Sequence, residues 1–423
     1  MSIYIDGPEN YENPFIFFDE GGSPKLLRIL LNEIENNLDN VKEVFISLYL
    51  FNNLIFYRYL KKLAKKGIKV NVISIPLEGY SNEKPKTLRS LSTGKDTPYK
   101  TTKYLEAKKI YGDCFYSESS NFNLYIFPHI FVRSSRMKKF SRGNLPYSLH
   151  SKLFFIKSKN EDCLFLTSSN FSVRDLVKKE MMIKQVCSDG TSFEIDKYFN
   201  DLIENSIPIK SYKREFNSSR NDYPKLDLIN SKTVFFAAPF YNNSNALMFA
   251  NIIDLVRKAK DRIYLCAQHI SNCESEKYGI NLIDEIILKA KQGIKVSLYS
   301  QTYIDDNLKN DFRKPINTAN FLMAIKKLKG VENVSYFVNS NIHYKFILVD
   351  NKMFFCTFNF TSTQFIYVPK VKIDKFDYMP NQSYEGIHSE VGAYMIINND
   401  VMIKSILRTL DSLKSEFKTI QTI

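Results

Sequence analysis

Two short runs hold the residues best suited to chemistry. The first is His150-Ser151-Lys152-Leu153-Phe154-Phe155-Ile156, and the second is His343-Tyr344-Lys345-Phe346-Ile347-Leu348-Val349. On a strand, residues i and i+2 point to one face, so each histidine projects beside a lysine while the apolar residues pack around them. Imidazole can act as nucleophile, acid or base near neutral pH, and an ammonium beside it offsets the charge of an anion. A second apolar run follows each motif and ends in a hydroxyl and an amide: Ser168 and Asn170 in Thr167-Ser168-Ser169-Asn170, Thr357 and Asn359 in Cys356-Thr357-Phe358-Asn359. Glu180 and Glu390 then lead into further apolar strands, where each is either a partner for a histidine or a solvated charge at a strand start. A lone His-x-Lys is commonplace in a lysine-rich chain. Two of only five histidines carry it here, at matching places, which points to a functional pair rather than two solvated strand ends.

The frame around these residues repeats as well. Ala64 to Ser74 reads AKKGIKVNVIS and Ala290 to Ser300 reads AKQGIKVSLYS, identical at seven of eleven positions. Before each copy comes a strand-like run, Val44–Leu50 or Ile263–Ala267, and then a segment with helical spacing: Leu54, Tyr57, Leu60 and Leu63, or Leu282, Ile286 and Ala290. Gly67 and Gly293 close these helices, where a positive φ is wanted. An earlier helix is expected at about Pro24–Asn37 and Asn245–Ala259, with Ser23 and Ser244 as N-caps. Each half thus reads α-β-α-β followed by more strands, the grammar of a mostly parallel sheet with flanking helices. The stretch from about Asn205 to Ser231 is polar and contains Pro208 and Pro224. The expected division is a first repeat over 1–204, a linker over 205–231 and a second repeat over 232–423.

Composition narrows the class. The 423 residues are 44% hydrophobic and 25% charged, ordinary for a globular chain with a large core, and the formal charge is +14. That excess favours polyanionic partners, nucleic acid or an anionic membrane surface. No run is apolar enough to cross a bilayer as a helix, and Met1 to Asp6 lacks the pattern of a secretory signal. The six cysteines, placed by the sequence in strands or at loop edges, form no Cys-x-x-Cys pair, and the histidines have no ligand spacing. No metal site, cofactor or disulfide framework is therefore expected, and the cytoplasm is the expected compartment.

The doubled motif resembles the phospholipase D superfamily, or HKD family, whose signature is HxKxxxxD followed by a GSxN-like segment once in each half. The resemblance extends over essentially the whole chain and implies an α/β fold of two pseudo-symmetric α-β-α sandwich halves sharing one active site. Asp350 keeps the motif aspartate, whereas Lys157 replaces it in the first half, and Thr167 and Cys356 stand at the glycine of GSxN. The His-x-Lys without aspartate followed by Thr-Ser-Ser-Asn also looks like the tyrosyl-DNA phosphodiesterase branch, which Asp350 does not fit. What the resemblance implies is metal-free phosphodiester cleavage or transfer. His150 would be the nucleophile and His343 the general acid, with the order open. Lys152, Lys345, Asn170 and Asn359 would bind the phosphoryl oxygens, and Glu180 and Glu390 would orient the rings, within or across halves. Ser168, Thr357 and Asp350 would support them.

The halves differ in length. Gly67 to His150 spans 83 residues and Gly293 to His343 spans 50. The extra stretch, near Ser81–Tyr111, carries eight Lys or Arg against three acids, with Tyr99, Tyr104 and Tyr111 among them. Arg133, Arg136, Lys138, Lys139 and Arg142 precede the first motif as candidate substrate-binding residues, and Gln364–Ser389 forms a second extension. Basic and aromatic residues mixed in this way suit a nucleic-acid backbone with bases stacked alongside, and they suit a solvated loop too. The leading expectation is a DNA nuclease. The alternative is a phospholipase or phosphatidyl transferase, and a non-catalytic DNA-binding protein comes third. One chain supplies both motifs, so a monomer suffices for one site; a dimer stays open.

Overall fold

The computed structural model describes residues 14–75, 102–127, 147–212, 234–301, 323–361, 371–373, 384–386, 389–414 and 418–420, a few positions inside these ranges excepted, with Leu77 and Leu226 in addition. The first half supplies β1 (Phe15–Asp19), α1 (Lys25–Asn36), β2 (Val41–Leu48), α2 (Leu54–Lys65), β3 (Lys69–Ser74), α3 (Thr102–Tyr116), β4 (Phe122–Ile126), β5 (Tyr147–Leu149), β6 (Lys152–Ser158), β7 (Asp162–Thr167), β8 (Glu180–Cys187), α4 (Asp189–Glu204) and β9 (Ile207–Pro208). The second half follows with β10 (Val234–Ala237), α5 (Ser244–Arg257), β11 (Arg262–Ala267), a small ribbon of β12 (Glu274–Ser275) and β13 (Ile280–Asn281), α6 (Leu282–Lys291), β14 (Lys295–Ser300), β15 (Val334–Val338), β16 (Lys345–Val349) and β17 (Lys352–Cys356). A second ribbon of β18 (Val371–Ile373) and β19 (Tyr384–Gly386) leads to β20 (Ser389–Ile397), α7 (Asp400–Leu413) and β21 (Lys418–Ile420).

Strand order proves the duplication. The first sheet runs β1-β8-β7-β6-β2-β3-β4-β9 and the second β10-β20-β17-β16-β11-β14-β15-β21, position for position the same path. Each sheet is mixed rather than mostly parallel: along these two paths only β2-β3-β4 and β11-β14-β15 run parallel. The difference from expectation has a simple cause. The connections after β6 and β16 are too short for a crossover, and a short turn can join only antiparallel strands.

The repeated local chemistry explains the repeated elements. Asn53 caps α2 by accepting from the N–H groups of Ile55 and Phe56 at 3.0 and 3.1 Å, and Asn281 caps α6 by accepting from Ile283 at 2.9 Å. Gly67 and Gly293 both take φ +90°, and the next residue of each closes back onto the helix, Ile68 N–H to Leu63 O and Ile294 N–H to Lys289 O, both at 3.2 Å. The other helix starts do not match the expected caps. Pro24, not Ser23, precedes α1 and offers no side-chain cap, while Ser244 lies inside α5 and bonds the backbone of Ala238. Cys114 sits in α3 rather than in a strand, and all six cysteines are buried as free thiols.

Side chains of the second sheet alternate in the way a sheet covered on both faces requires. Phe235, Ala237, Ile347, Val349 and Phe354 join Ile252, Ile253, Ile283 and Ile286 of α5 and α6 in one core. Phe236, Phe346, Leu348, Met353 and Phe355 turn the other way, into a core continuous with the first half that also takes in Ile403, Ile406 and Leu410 of α7. The motif strands β6 and β16 lie in the middle of their sheets. Their polar ends are therefore held by packing on both sides.

Candidate active site

Each motif reaches across to the other half. Strand β5 leaves the first half and pairs in parallel with β20, so that the His150 N–H donates to Val391 O at 2.8 Å. The mirror arrangement ties Ile342 to Lys179, and the His343 N–H donates to Lys179 O at 3.0 Å. These exchanged bonds set each histidine against the strand that carries the other half's glutamate. Nδ1 of His343 lies 2.6 Å from Oε1 of Glu180, and Nδ1 of His150 lies 3.0 Å from Oε2 of Glu390. That bond engages Nδ1 of His343 and leaves its Nε2 for the site, and whether Nδ1 or the carboxyl carries the shared proton sets whether Nε2 accepts or donates. The sequence left open whether these pairs form within or across the halves; both form across.

The lysines are placed alike. Lys152 Nζ donates to His150 O and Lys345 Nζ to His343 O, each at 2.8 Å, and both side chains are fully buried. Asn170 and Asn359 stand at the ends of β7 and β17, with amide oxygens that are buried and make no hydrogen bond within the described residues. An amide oxygen only accepts, so it is the Nδ2 group of each asparagine that could donate to an anion.

Burial and mutual repulsion set the electrostatics. Burial, reinforced by Lys345, lowers Lys152 from 10.5 to about 7, and burial lowers Lys345 to about 8. Burial raises Glu180 to about 7, against the pull of Lys345 and the Ser168 hydroxyl. Both imidazoles are pushed below their ordinary value by burial, His150 against the pull of Glu390 and His343 further with Lys345 adding to the effect. The two lysines and the two imidazoles lie close enough to shift one another's values across the halves.

The supporting residues divide unevenly. Ser168 Oγ donates to Oε2 of Glu180, so both carboxylate oxygens of that residue are engaged. Thr357 occupies the matching place in β17 but touches only backbone: its Oγ1 accepts from Ala393 N at 3.4 Å. The strand register explains this. Ser168 N–H bonds Met181 O and Thr357 N–H bonds Ala393 O, which puts Glu180 level with Gly392 and Glu390 two residues earlier. A Cβ at Gly392 would run into Thr357 Oγ1 and the Phe358 ring. The second half therefore has no room for a side chain at the place where the first half carries its glutamate.

Asp350 is not at this centre. It follows β16, five residues beyond the lysine end and thus on the order of 16 Å away. There its carboxylate accepts from the N–H groups of Lys260, Asp261 and Arg262 at 2.9, 2.9 and 3.0 Å. In the first half β6 and β2 each run two residues longer than β16 and β11, so Lys157 lies within the strand, opposite Glu43, and pairs with Asp196 at 3.0 Å. The place that takes an aspartate in one copy is no longer a strand end in the other.

Several expectations fall elsewhere. Arg133, Arg136, Lys138, Lys139 and Arg142 lie outside the described residues, as do 81–101 of the basic insertion and most of Gln364–Ser389 and of the 205–231 linker. His269 serves through its backbone, its carbonyl accepting from Phe360 N at 3.1 Å. Among the described residues no group of three His, Cys, Asp or Glu is placed to hold a metal ion, and no helix is long and apolar enough to cross a membrane. Two residues of the site carried no motif signal. Tyr49, just after β2, puts its ring 5.1 Å from His150 and 5.9 Å from Lys152 Nζ. Asp175 accepts from Asn170 N at 2.9 Å.

No family model and no curated protein matches the sequence. Solved structures do. Phosphatidylserine synthase from Haemophilus influenzae Rd KW20 is similar at a TM-score of 0.56 and 13% identity, over 96% of this chain and 88% of that one. Polyphosphate kinase from Porphyromonas gingivalis is similar at 0.51 and 10% identity over 95% of this chain, which spans only 47% of the kinase. Yeast tyrosyl-DNA phosphodiesterase aligns over 92% of this chain at 11% identity and a TM-score of 0.46. With one strand path used twice and the two His-x-Lys ends meeting where the halves exchange strands, the chain shares the fold of the phosphatidylserine synthase and polyphosphate kinase structures, the duplicated α/β fold that its doubled motif led one to expect.

Proposed function

We propose that the protein is a metal-independent phosphodiesterase that works through a phosphohistidine, with DNA as its substrate. One observation carries the reading: each motif histidine faces a glutamate of the opposite half, beside a buried lysine. A diester carries one negative charge, which Lys152 and Lys345 offset while the amides of Asn170 and Asn359 bind nonbridging oxygens. Nε2 of His150 attacks phosphorus and the P–Nε2 bond forms. The bond to the leaving oxygen breaks, and that oxygen takes its proton from Nε2 of His343. In the second step His343 accepts a proton from water, the water oxygen bonds to phosphorus, and the P–Nε2 bond breaks.

The unequal carboxylates support this order. His343 and Glu180 form a tight pair in which a carboxyl raised to about 7 can carry a proton and pass it to Nδ1 as Nε2 gives up its own, leaving a carboxylate, Nδ1–H and an Nε2 lone pair, as an acid that becomes a base requires. His150 has Glu390 at 3.0 Å from its Nδ1, and burial favours the neutral ring, as a nucleophile requires.

DNA is favoured by the net charge of +14 and by the basic clusters flanking the first motif. The second reading is a phospholipase or phosphatidyl transferase. A basic surface equally suits anionic lipid, and one protein of like fold bears the name phosphatidylserine synthase. Incubation with single- and double-stranded DNA in EDTA, beside anionic phospholipid vesicles, decides between them. The expected result is EDTA-resistant DNA cleavage that is lost in His150→Ala. Lipid hydrolysis with intact DNA would overturn the choice of substrate, and equal activity in the mutant would overturn the mechanism.

A further inference from the structure

We infer that Asp175 is the positioning residue for Asn170, holding the turn that aims this amide at the bound anion; that the anion is a phosphodiester rests on the function proposed above. Asp175 Oδ2 accepts from Asn170 N at 2.9 Å and from Ser172 N at 3.2 Å, while its own N–H returns a bond to Ser172 O at 2.9 Å. Between the two gripped residues Phe171 is forced to φ +54°, a conformation that a bulky side chain adopts only under constraint. Two further bonds close the turn, Phe171 N–H to Ser169 Oγ at 3.0 Å and Asn53 Nδ2 to Phe171 O at 2.7 Å. Every one of these contacts grips backbone from behind. None of them uses the Asn170 side chain, whose Nδ2 group can donate to an anion.

The second copy shows that the Asn segment can be held otherwise. Its counterpart of Phe171 is Phe360, which is tied by a backbone bridge to Ile270 and a bond to His269 O. The first half has no such bridge at Phe171 among its described residues and uses the Asp175 carboxylate and Asn53 instead. Asp175 also adds a favourable field at His343, Lys152 and Lys345. A role through charge alone and a role through the two N–H bonds make different predictions for the amide variant, because an asparagine Oδ1 can accept the same two bonds without the charge.

The test compares the full chain as wild type, Asp175→Asn and Asp175→Ala. Turnover of bis(p-nitrophenyl) phosphate in EDTA and calorimetric binding of inorganic phosphate are measured together. Expected for Asp175→Ala is a fall in kcat of about a hundredfold, the scale for a misplaced binding group, and phosphate binding weaker by about tenfold. Asp175→Asn should stay within about threefold of wild type on both. Equal phosphate affinity in all three proteins, or no phosphate binding by the wild type, would overturn the inference. So would an asparagine variant as impaired as alanine, since charge would then be the cause. If the wild type binds phosphate and shows the Asp175→Ala deficit yet leaves the diester untouched, the proposed reaction falls and the positioning role stands. Should Asp175→Ala fail to fold, Asp175→Glu keeps the charge and displaces the carboxylate by one methylene; it should show the same deficits, and wild-type behaviour there would overturn the inference.

Discussion

The two halves share one strand path but brace their histidines differently, and the contrast shows what duplication leaves free to change. The first-half glutamate locks onto His343 at 2.6 Å and is itself held by Ser168. The second-half glutamate comes from two residues earlier on its strand, stands 3.0 Å from His150, and has a neighbour, Thr357, that bonds only backbone. A site built from two equal copies could use either histidine in either step. Under the proposed mechanism, unequal bracing would divide the labour between His150 and the His343–Glu180 pair.

The largest expected effect separates those roles. His150→Ala and His343→Ala should each lower turnover by at least about 10⁴-fold while the protein stays folded. Given an aryl phosphodiester, whose leaving group needs no proton, His343→Ala should still form a covalent phosphoryl-protein that mass spectrometry places on His150. A label on His343 in the His150→Ala protein would reverse the assignment. Glu180→Gln and Glu390→Gln come next, with losses of about a hundredfold and about tenfold. Equal losses would mean that the difference between 2.6 and 3.0 Å has no chemical weight.

The pH profile sharpens the contrast further. Neutral His150 is required, and its value lies below 6.5, so kcat/KM should fall on acidification only below that point. The lysines are cationic below their values of about 7 and about 8, so the alkaline limb should fall between these. A bound anion favours the ammonium forms, and the alkaline limb of kcat should therefore lie higher than that of kcat/KM. Stability runs in the opposite sense. A lysine lowered in the folded state binds fewer protons folded than unfolded between about 7 and 10.5, so its share of stability rises with pH across that window. Lys152→Met should raise the thermal midpoint near pH 7 while removing activity.

Much of this was legible in the sequence. Both glycine-closed helices and both motif strands can be read from spacing, because local patterns carry them, whereas the Asn and Glu members of the candidate set come from the resemblance to a known family. What spacing does not carry is register. Nothing in the sequence aligns Glu180 with Gly392, since that equivalence depends on which N–H of β7 or β17 meets which carbonyl. The exchange of β5 into the second sheet is likewise a contact between distant segments. Asn121 and Asn333 show the same limit in a milder form. Each side chain bonds the carbonyl ending the repeated helix, Ala64 or Ala290, at 3.3 and 3.1 Å, yet they stand at unequal distances along the chain because of the first-half insertion.

The smallest effect concerns the aspartate present in one copy only. Asp350 holds φ +52°, a conformation that asparagine tolerates well, and binds three N–H groups at the start of β11. Its two oxygens divide that work: Oδ1 accepts from Asp261 and Arg262, and Oδ2 from Lys260. Asp350→Asn keeps the acceptor for two of the three bonds, so it should cost about 1 kcal/mol in a urea titration and change kcat less than about threefold. Asp350→Ala loses all three and should cost more, again with kcat nearly intact, because the residue braces a strand end far from the histidines. Lys157→Asp tests the converse. Restoring the motif letter should gain nothing, since position 157 lies inside β6 opposite Glu43 and beside Asp196, where a carboxylate meets two others. A variant more stable or more active than wild type would show that the two copies can converge on one motif, and that the longer strands of the first half are not what displaced its aspartate.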